Sequence, residues 1–185
     1  MKQIAVFGGS FDPPQVCHML VVTYALSRGG YDEIRLVPVF EHPFAKPLAP
    51  FKQRVEMLKR SLAHLGPKVV VDPIESTLPA PSYTIDTVKA MLAREDDIRI
   101  TWLCGADVYE ERHLWKRWDE LETLVNFSVY GREGTDSSYS SPDLPELPNI
   151  SSTDVRERIA SGQPVSHLVP RDALNLIRSE RLYEP

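Results

Sequence analysis

Five short apolar runs alternate along the chain with longer segments of helical period, and this alternation restricts the fold more than any other feature. The runs are residues 3–8, Ile34–Phe40, Val69–Val71, Ile98–Gly105 and Leu124–Gly131. Between them, residues 18–28 read as a helix that Gly29-Gly30 stops in the manner of a C-cap. Residues 51–64 repeat apolar positions at Val55, Leu58 and Leu62, close to helical spacing. Ser82 reads as a hydroxyl cap on a helix running to about Arg94. Residues 131–149 are rich in Gly, Ser, Pro and Asp, a loop composition. Ser152 or Thr153 then caps a helix to about Ala160, Ser161-Gly162-Gln163-Pro164 breaks it, and Arg171–Leu182 forms a last helix. Strand–helix alternation of this kind implies an α/β architecture, a Rossmann-like doubly wound parallel sheet of about five strands. Right-handed crossovers place its helices on both faces. A length of 185 residues suits one domain, residues 1–185, whose C-terminal helical portion starts near 150.

In such a sheet a ligand lies beyond the carboxyl ends of the strands, where the strand order reverses. Two runs end in glycine, at Gly8-Gly9 and at Gly105, and so point to one crevice. The first leads through Ser10-Phe11-Asp12-Pro13-Pro14 to a helix start at His18. Glycines let a backbone approach a ligand closely, and free amides at a helix N-terminus favour an anion. The loop is neither Gly-x-Gly-x-x-Gly nor a Walker A loop, since no Gly-Lys-Ser/Thr follows. Two further polar groups fall in line with it. Asp107 follows Gly105, and Ile150-Ser151-Ser152-Thr153-Asp154-Val155-Arg156 is a hydroxyl-rich helix start. Arg156 lies on the helix face of Thr153 and can meet the same anion with a planar fork. Alone, a Ser/Thr helix start is more often a plain N-cap with a surface arginine. Its conjunction with a glycine loop and a histidine is what points to phosphate.

Composition removes several function classes. A net charge of −5 and a pI near 5.6 leave no global basic field for nucleic acid. No apolar run approaches the roughly 20 residues of a membrane span. Cys17 and Cys104 make neither a disulfide framework nor a metal-binding pair, and two free thiols fit a reducing compartment. With no leader-like segment after Met1, a cytoplasmic location is expected. His42, His64, His113 and His167 lack metal-ligand spacing, so no resident metal is expected. Cys104 and Trp102 read as core. Trp115 and Trp118, three apart, read as one helical face.

The loop Gly8-Gly-Ser-Phe-Asp-Pro-Pro…His18 resembles the opening of the nucleotidyltransferases whose signature is His/Thr-x-Gly-His. Ile150-Ser-Ser-Thr-Asp-Val-Arg156 resembles their second signature, Ile-Ser-Ser-Thr-x-x-Arg. Ser82-Tyr83-Thr84-Ile85-Asp86-Thr87, Gly105-Ala-Asp107 with Trp115 downstream, and the ending Leu168-Val-Pro…Ile177…Leu182-Tyr183 narrow the likeness to the bacterial nicotinate-nucleotide adenylyltransferase family. The resemblance covers almost the whole chain. It implies transfer of AMP from ATP to nicotinate mononucleotide, with Mg2+ on the phosphates, giving deamido-NAD and pyrophosphate. It further implies that His18, Arg156 and Lys46 serve the triphosphate and that Gly8, Gly9, Ser10 and Phe11 line it. Gln15, Gly105 and Asp107 belong to the ATP site by the same likeness, and Ser151, Ser152 and Thr153 hold the far end of the triphosphate. Tyr83, Thr84 and Trp115 would contact the mononucleotide, with Trp115 stacking on its pyridine ring.

The chain departs from the family pattern at two places. Gln15 stands where His or Thr is expected, and Cys17 where glycine is expected. Gln15 brings no positive charge, and Cys17 adds a side chain where a glycine would let the helix start press on the nucleotide. Two other readings therefore stay open: a nucleotide-binding homologue with impaired catalysis, and a nucleotidyltransferase, for example cytidylyl, with another substrate pair. The sequence leaves the oligomeric state open, a homo-oligomer included.

Overall fold

A computed structural model describes residues 1–185, with the side chain of residue 137 set aside. In chain order the elements begin with β1 (Lys2–Gly9), α1 (Val16–Arg28), β2 (Glu33–Pro38), α2 (Phe51–Leu62) and β3 (Val69–Val71). They continue with α3 (Thr84–Arg94), β4 (Ile98–Gly105), α4 (Ala106–Glu110) and α5 (Trp118–Leu124). Last come β5 (Asn126–Arg132), β6 (Glu146–Leu147), α6 (Ser152–Ala160) and α7 (Arg171–Ser179). All strand pairs are parallel, in the order β3-β2-β1-β4-β5-β6. The doubly wound sheet expected from the alternation is therefore present, with six strands rather than about five. The extra strand is two residues long, pairs with Gly131 and Arg132, and carries no apolar run by which a sequence could announce it.

Each face of the sheet has its own core. Ile4, Val6, Ile100, Trp102 and Val129 pack against α3 and α5 through Ile85, Val88, Met91 and Leu121. On the other face Ala5, Phe7, Leu36 and Leu103 meet Val21, Val22 and Ala25 of α1 and Leu58 and Leu62 of α2. A third cluster joins α6 and α7 to α2 through Val155, Ala173, Ile177 and Met57. The C-terminal helices thus rest on the back of α2.

Several boundaries differ from expectation for local reasons. Helix α1 begins two residues early, because Gln15 caps it. Ser82 does not cap α3: its hydroxyl accepts from the Glu41 amide, and Tyr83 is the capping residue without a side-chain bond. Helix α2 buries Arg54, Met57, Leu58, Ser61 and Leu62, so its core stripe runs through position 54 rather than 55. Trp115 and Trp118 do not share a helix, because Arg117 between them adopts a left-handed φ of 55°. Strand β2 stops at Pro38, short of Phe40, and α7 stops at Ser179, short of Leu182.

Candidate active site

The strand order reverses between β1 and β4, which are direct neighbours with Phe7 opposite Leu103. Both strands end in glycine, and the loops that follow open on the same side of the sheet, where doubly wound folds bind ligands. Gly8 is required there. A Cβ on it would lie 2.5 Å from Cζ2 of the buried Trp102. Beyond Gly9 the chain turns through Phe11 at a left-handed φ of 46°, a costly conformation held by packing. The Phe11 ring is buried, 5.6 Å from Phe7 and 5.0 Å from His18 between ring centres. Arg54 pins the turn from behind, donating to the Ser10 carbonyl at 2.9 Å.

At the start of α1 two side chains exchange bonds with the backbone. The Gln15 side-chain oxygen accepts from the Cys17 amide at 2.6 Å, and Nδ1 of His18 accepts from the Gln15 amide at 3.0 Å. With Nδ1 an acceptor, the neutral imidazole carries its proton on Nε2, which is then a donor. Burial, and then the nearby Arg132 guanidinium, push the His18 pKa down to about 3, so the ring is neutral across the physiological range. Burial likewise pushes the Cys17 thiol up, outweighing the pull of Arg132. A reactive thiolate is not what this helix start holds.

Helix α6 faces this loop. Ser151 caps it, accepting from the Asp154 amide at 3.0 Å, so the cap lies one residue before Ser152 and two before Thr153. The Ser152 hydroxyl donates to the Pro13 carbonyl at 2.9 Å. Arg156 donates to the Asp12 carbonyl at 2.7 Å and to the Thr153 hydroxyl at 3.1 Å. Bonds between residues 139 and 144 positions apart in the chain therefore join the two motifs at the crevice.

Residues 6–158 match a family profile described as cytidylyltransferase-like. The "Probable nicotinate-nucleotide adenylyltransferase" of Anaeromyxobacter dehalogenans is 38% identical over 185 residues, 98% of this chain and 97% of that one. The "Nicotinate-nucleotide adenylyltransferase" of Bacillus subtilis is 34% identical over 190 residues, with both chains covered in full. The chain belongs to the nicotinate-nucleotide adenylyltransferase family. Its fold is also that of a solved Plasmodium falciparum nicotinic acid mononucleotide adenylyltransferase complexed with NaAD. That likeness has a TM-score of 0.83 at 20% identity, over 99% of this chain and 98% of that one.

Against the family pattern, the remaining expected residues divide into two groups. His18, Gln15, Asp107, Ser151, Ser152, Thr153 and Arg156 are joined through Arg132 and the Ile150 carbonyl and through Asp12 and Pro13, and the His18 ring packs on Phe11 of the loop Gly8–Phe11. Asp107 is held there by Arg132, whose other nitrogen donates to the Ile150 carbonyl at 2.8 Å. A Cβ on Gly105 would meet the Asp107 carboxylate, the movable end of a part-exposed side chain. The side-chain amide of Gln15 donates to the same Ile150 carbonyl at 3.0 Å, so it is engaged within the protein rather than turned to a phosphate. The Cys17 thiol, too, meets protein: Sγ lies 3.4 Å from the Pro148 carbonyl.

Among the described residues no side-chain hydrogen bond or ion pair ties the second group to this cluster. Lys46 is exposed on the loop between β2 and α2, and among the described residues no hydrogen bond or ion pair joins it to His18 or Arg156. Its charge acts instead, after burial, in lowering the pKa of His42. Tyr83 and Thr84 open α3 and are half-buried. The Lys116 ammonium stands 4.3 Å from the centre of the Tyr83 ring and 2.9 Å from Asp86. Trp115 packs edge-on against Trp118 at 5.9 Å and Phe127 at 6.2 Å, which fixes its plane.

Two arginines that the family motifs do not include complete the site. Arg132 closes β5 beside β4, and a cation at the carboxyl end of a central parallel strand is a readable signal. Arg54 occupies a core position of α2, at i, i+3, i+4, i+7 and i+8 spacing with Met57, Leu58, Ser61 and Leu62. An arginine on an apolar stripe must have partners, and it finds the carbonyls of Ser10, Phe40 and Ala49.

Proposed function

We propose that this chain transfers the adenylyl group of ATP to nicotinate mononucleotide, forming deamido-NAD and pyrophosphate in NAD biosynthesis. The observation that carries the reading is the direct bonding of the Gly8–His18 loop to the start of α6, through Ser152 to Pro13 and Arg156 to Asp12, at the switch point of the sheet. The relatives' names support the same substrates, and so does a second Plasmodium falciparum structure with APC, at a TM-score of 0.81 and 19% identity.

In this reaction a phosphate oxygen of the mononucleotide attacks the α-phosphorus of ATP, and the bond from that phosphorus to the pyrophosphate oxygen breaks. No protein nucleophile is needed, so the protein contributes position and charge. His18, neutral in the ligand-free protein, offers Nε2–H to a phosphate oxygen. The Gly9, Ser10 and Phe11 amides and the first amides of α6 line the phosphates, and Arg156, bonded to the loop at Asp12, adds a guanidinium. Mg2+ enters as part of the substrate, carried on the phosphates with most of its water. Lys46 reaches the triphosphate from its exposed loop. Tyr83, Thr84 and Trp115 take the mononucleotide on the α3 side. The buried, unpaired thiols Cys17 and Cys104 support a cytoplasmic setting.

The test is pyrophosphate release from ATP and nicotinate mononucleotide, run beside nicotinamide mononucleotide and beside CTP. Turnover is expected with ATP and the nicotinate substrate. No release at millimolar substrates from folded protein would refute it, and ATP binding without product would mark a homologue that has lost catalysis.

A further inference from the structure

The two positions where the chain leaves the family pattern are not idle. Both reach the segment that leads into α6. The Gln15 side chain donates to the Ile150 carbonyl at 3.0 Å, and the Cys17 thiol faces the Pro148 carbonyl at 3.4 Å. From the other side Arg132, held by Asp107, donates to the same Ile150 carbonyl at 2.8 Å. Among the described residues no other donor reaches that oxygen, so its two lone pairs are divided between Gln15 and Arg132. Ile150 immediately precedes Ser151, the cap of α6.

We infer that Gln15 and Arg132 form a two-sided latch on the Ile150 carbonyl, which positions the start of α6, and thus its amides and Arg156, over the Gly8–His18 loop. They are positioning residues, acting on the phosphate site through α6. A histidine or threonine at 15 would place a different group at this point. Glutamine is long enough to accept from the Cys17 amide with its oxygen and to donate across to Ile150 with its nitrogen. What the chain lacks in charge at position 15 it replaces with a tie between its two motifs. The link to ATP rests on the adenylyl-transfer reading, whereas the latch itself does not.

The distinguishing property of two donors on one carbonyl is coupling. Gln15→Ser keeps a capping oxygen for the start of α1 but cannot reach Ile150. Arg132→Lys keeps a cation beside Asp107 but cannot fork to both partners. Either change alone leaves the carbonyl one donor and should weaken ATP binding by about threefold. Together they leave it none. The double variant should then lose about fiftyfold or more, well beyond the roughly ninefold that independent effects would multiply to. Affinity is read by calorimetry with MgATP. Hydrogen exchange of the Asp154 and Val155 amides, both bonded to Ser151, is read on the same proteins without nucleotide. Exchange there should rise about tenfold or more in the double variant and little in either single one. Multiplicative losses in affinity together with unchanged exchange would overturn the latch. If wild-type protein shows no turnover, the adenylyl-transfer reading fails, but the exchange coupling still decides the latch.

Discussion

Arg54 is the largest fully buried side chain among the described residues, and its replacement by methionine is the most revealing single perturbation of the fold beneath the site. Its guanidinium donates to the carbonyls of Ala49 and Ser10, both at 2.9 Å, and of Phe40 at 3.4 Å, and lies 5.4 Å from the Phe51 ring centre. These carbonyls belong to two loops, so one side chain ties the phosphate turn to both ends of the β2–α2 connection. Methionine fills much of the volume but donates nothing. Two well-made charge-assisted bonds lost, with their acceptors left in a buried place, cost about 1.5–3 kcal/mol each. The third bond is long and adds little. Against this, the native protein bears the desolvation of a buried cation, visible as the burial that pulls the Arg54 pKa down, and methionine relieves it. The net loss is about 2–4 kcal/mol. With a urea m-value of about 2 kcal/mol/M, the midpoint should fall by about 1–2 M. Arg54→Lys, which restores charge and one donor, should recover part of that loss. Because the Ser10 carbonyl is released, MgATP affinity should fall along with stability. A midpoint shift below about 0.5 M would show that these bonds merely balance the cost of burying the cation.

Gly8→Ala places a Cβ 2.5 Å from Trp102, which is locked in the core, and should cost about 1–3 kcal/mol, lowering the melting temperature by roughly 2–12 °C. Unchanged melting would mean that the strand end moves freely, against its close packing. For His18, a folded pKa of about 3 against an ordinary 6.5 means the unfolded chain binds the extra proton first as pH falls. Its contribution to stability is therefore complete above about 6.5 and drains away as pH drops toward 3. The His18 ring signals in NMR should stay at their neutral positions from pH 8 down to about pH 4, and a titration midpoint near 6.5 would refute the buried, neutral ring.

Much of the architecture was legible because parallel strands covered on both faces must be apolar along their whole length. The run Ile4–Phe7 is buried throughout, and Ile34–Val37 and Ile98–Cys104 are apolar apart from Arg35, Arg99 and Thr101. The two glycine endings were legible for the same reason: a strand that stops at glycine and opens into a polar loop leaves little freedom in where that loop emerges. The cap of α1 was not legible, since glutamine is an uncommon N-cap, and its role appears only when the Cys17 amide and the Ile150 carbonyl stand on either side of it. Nor was β6, whose two residues pair only because β5 passes beside them.

The sequence by itself determined the alternation, and with it the sheet, the crevice at Gly8-Gly9 and Gly105, and the two segments that mark the family. Those are properties of local pattern, set by burial and backbone freedom over a few residues. What tertiary structure alone decided is how the polar side chains are used. His18 is neutral because it is buried beside Arg132. Asp107 is held by that same arginine rather than free, and Gln15 ties two helices together instead of waiting for a phosphate. Charge and hydrogen-bonding capacity depend on what lies within a few ångströms, and for His18 and Gln15 those neighbours, Arg132 and Ile150, come from more than a hundred positions away in the chain.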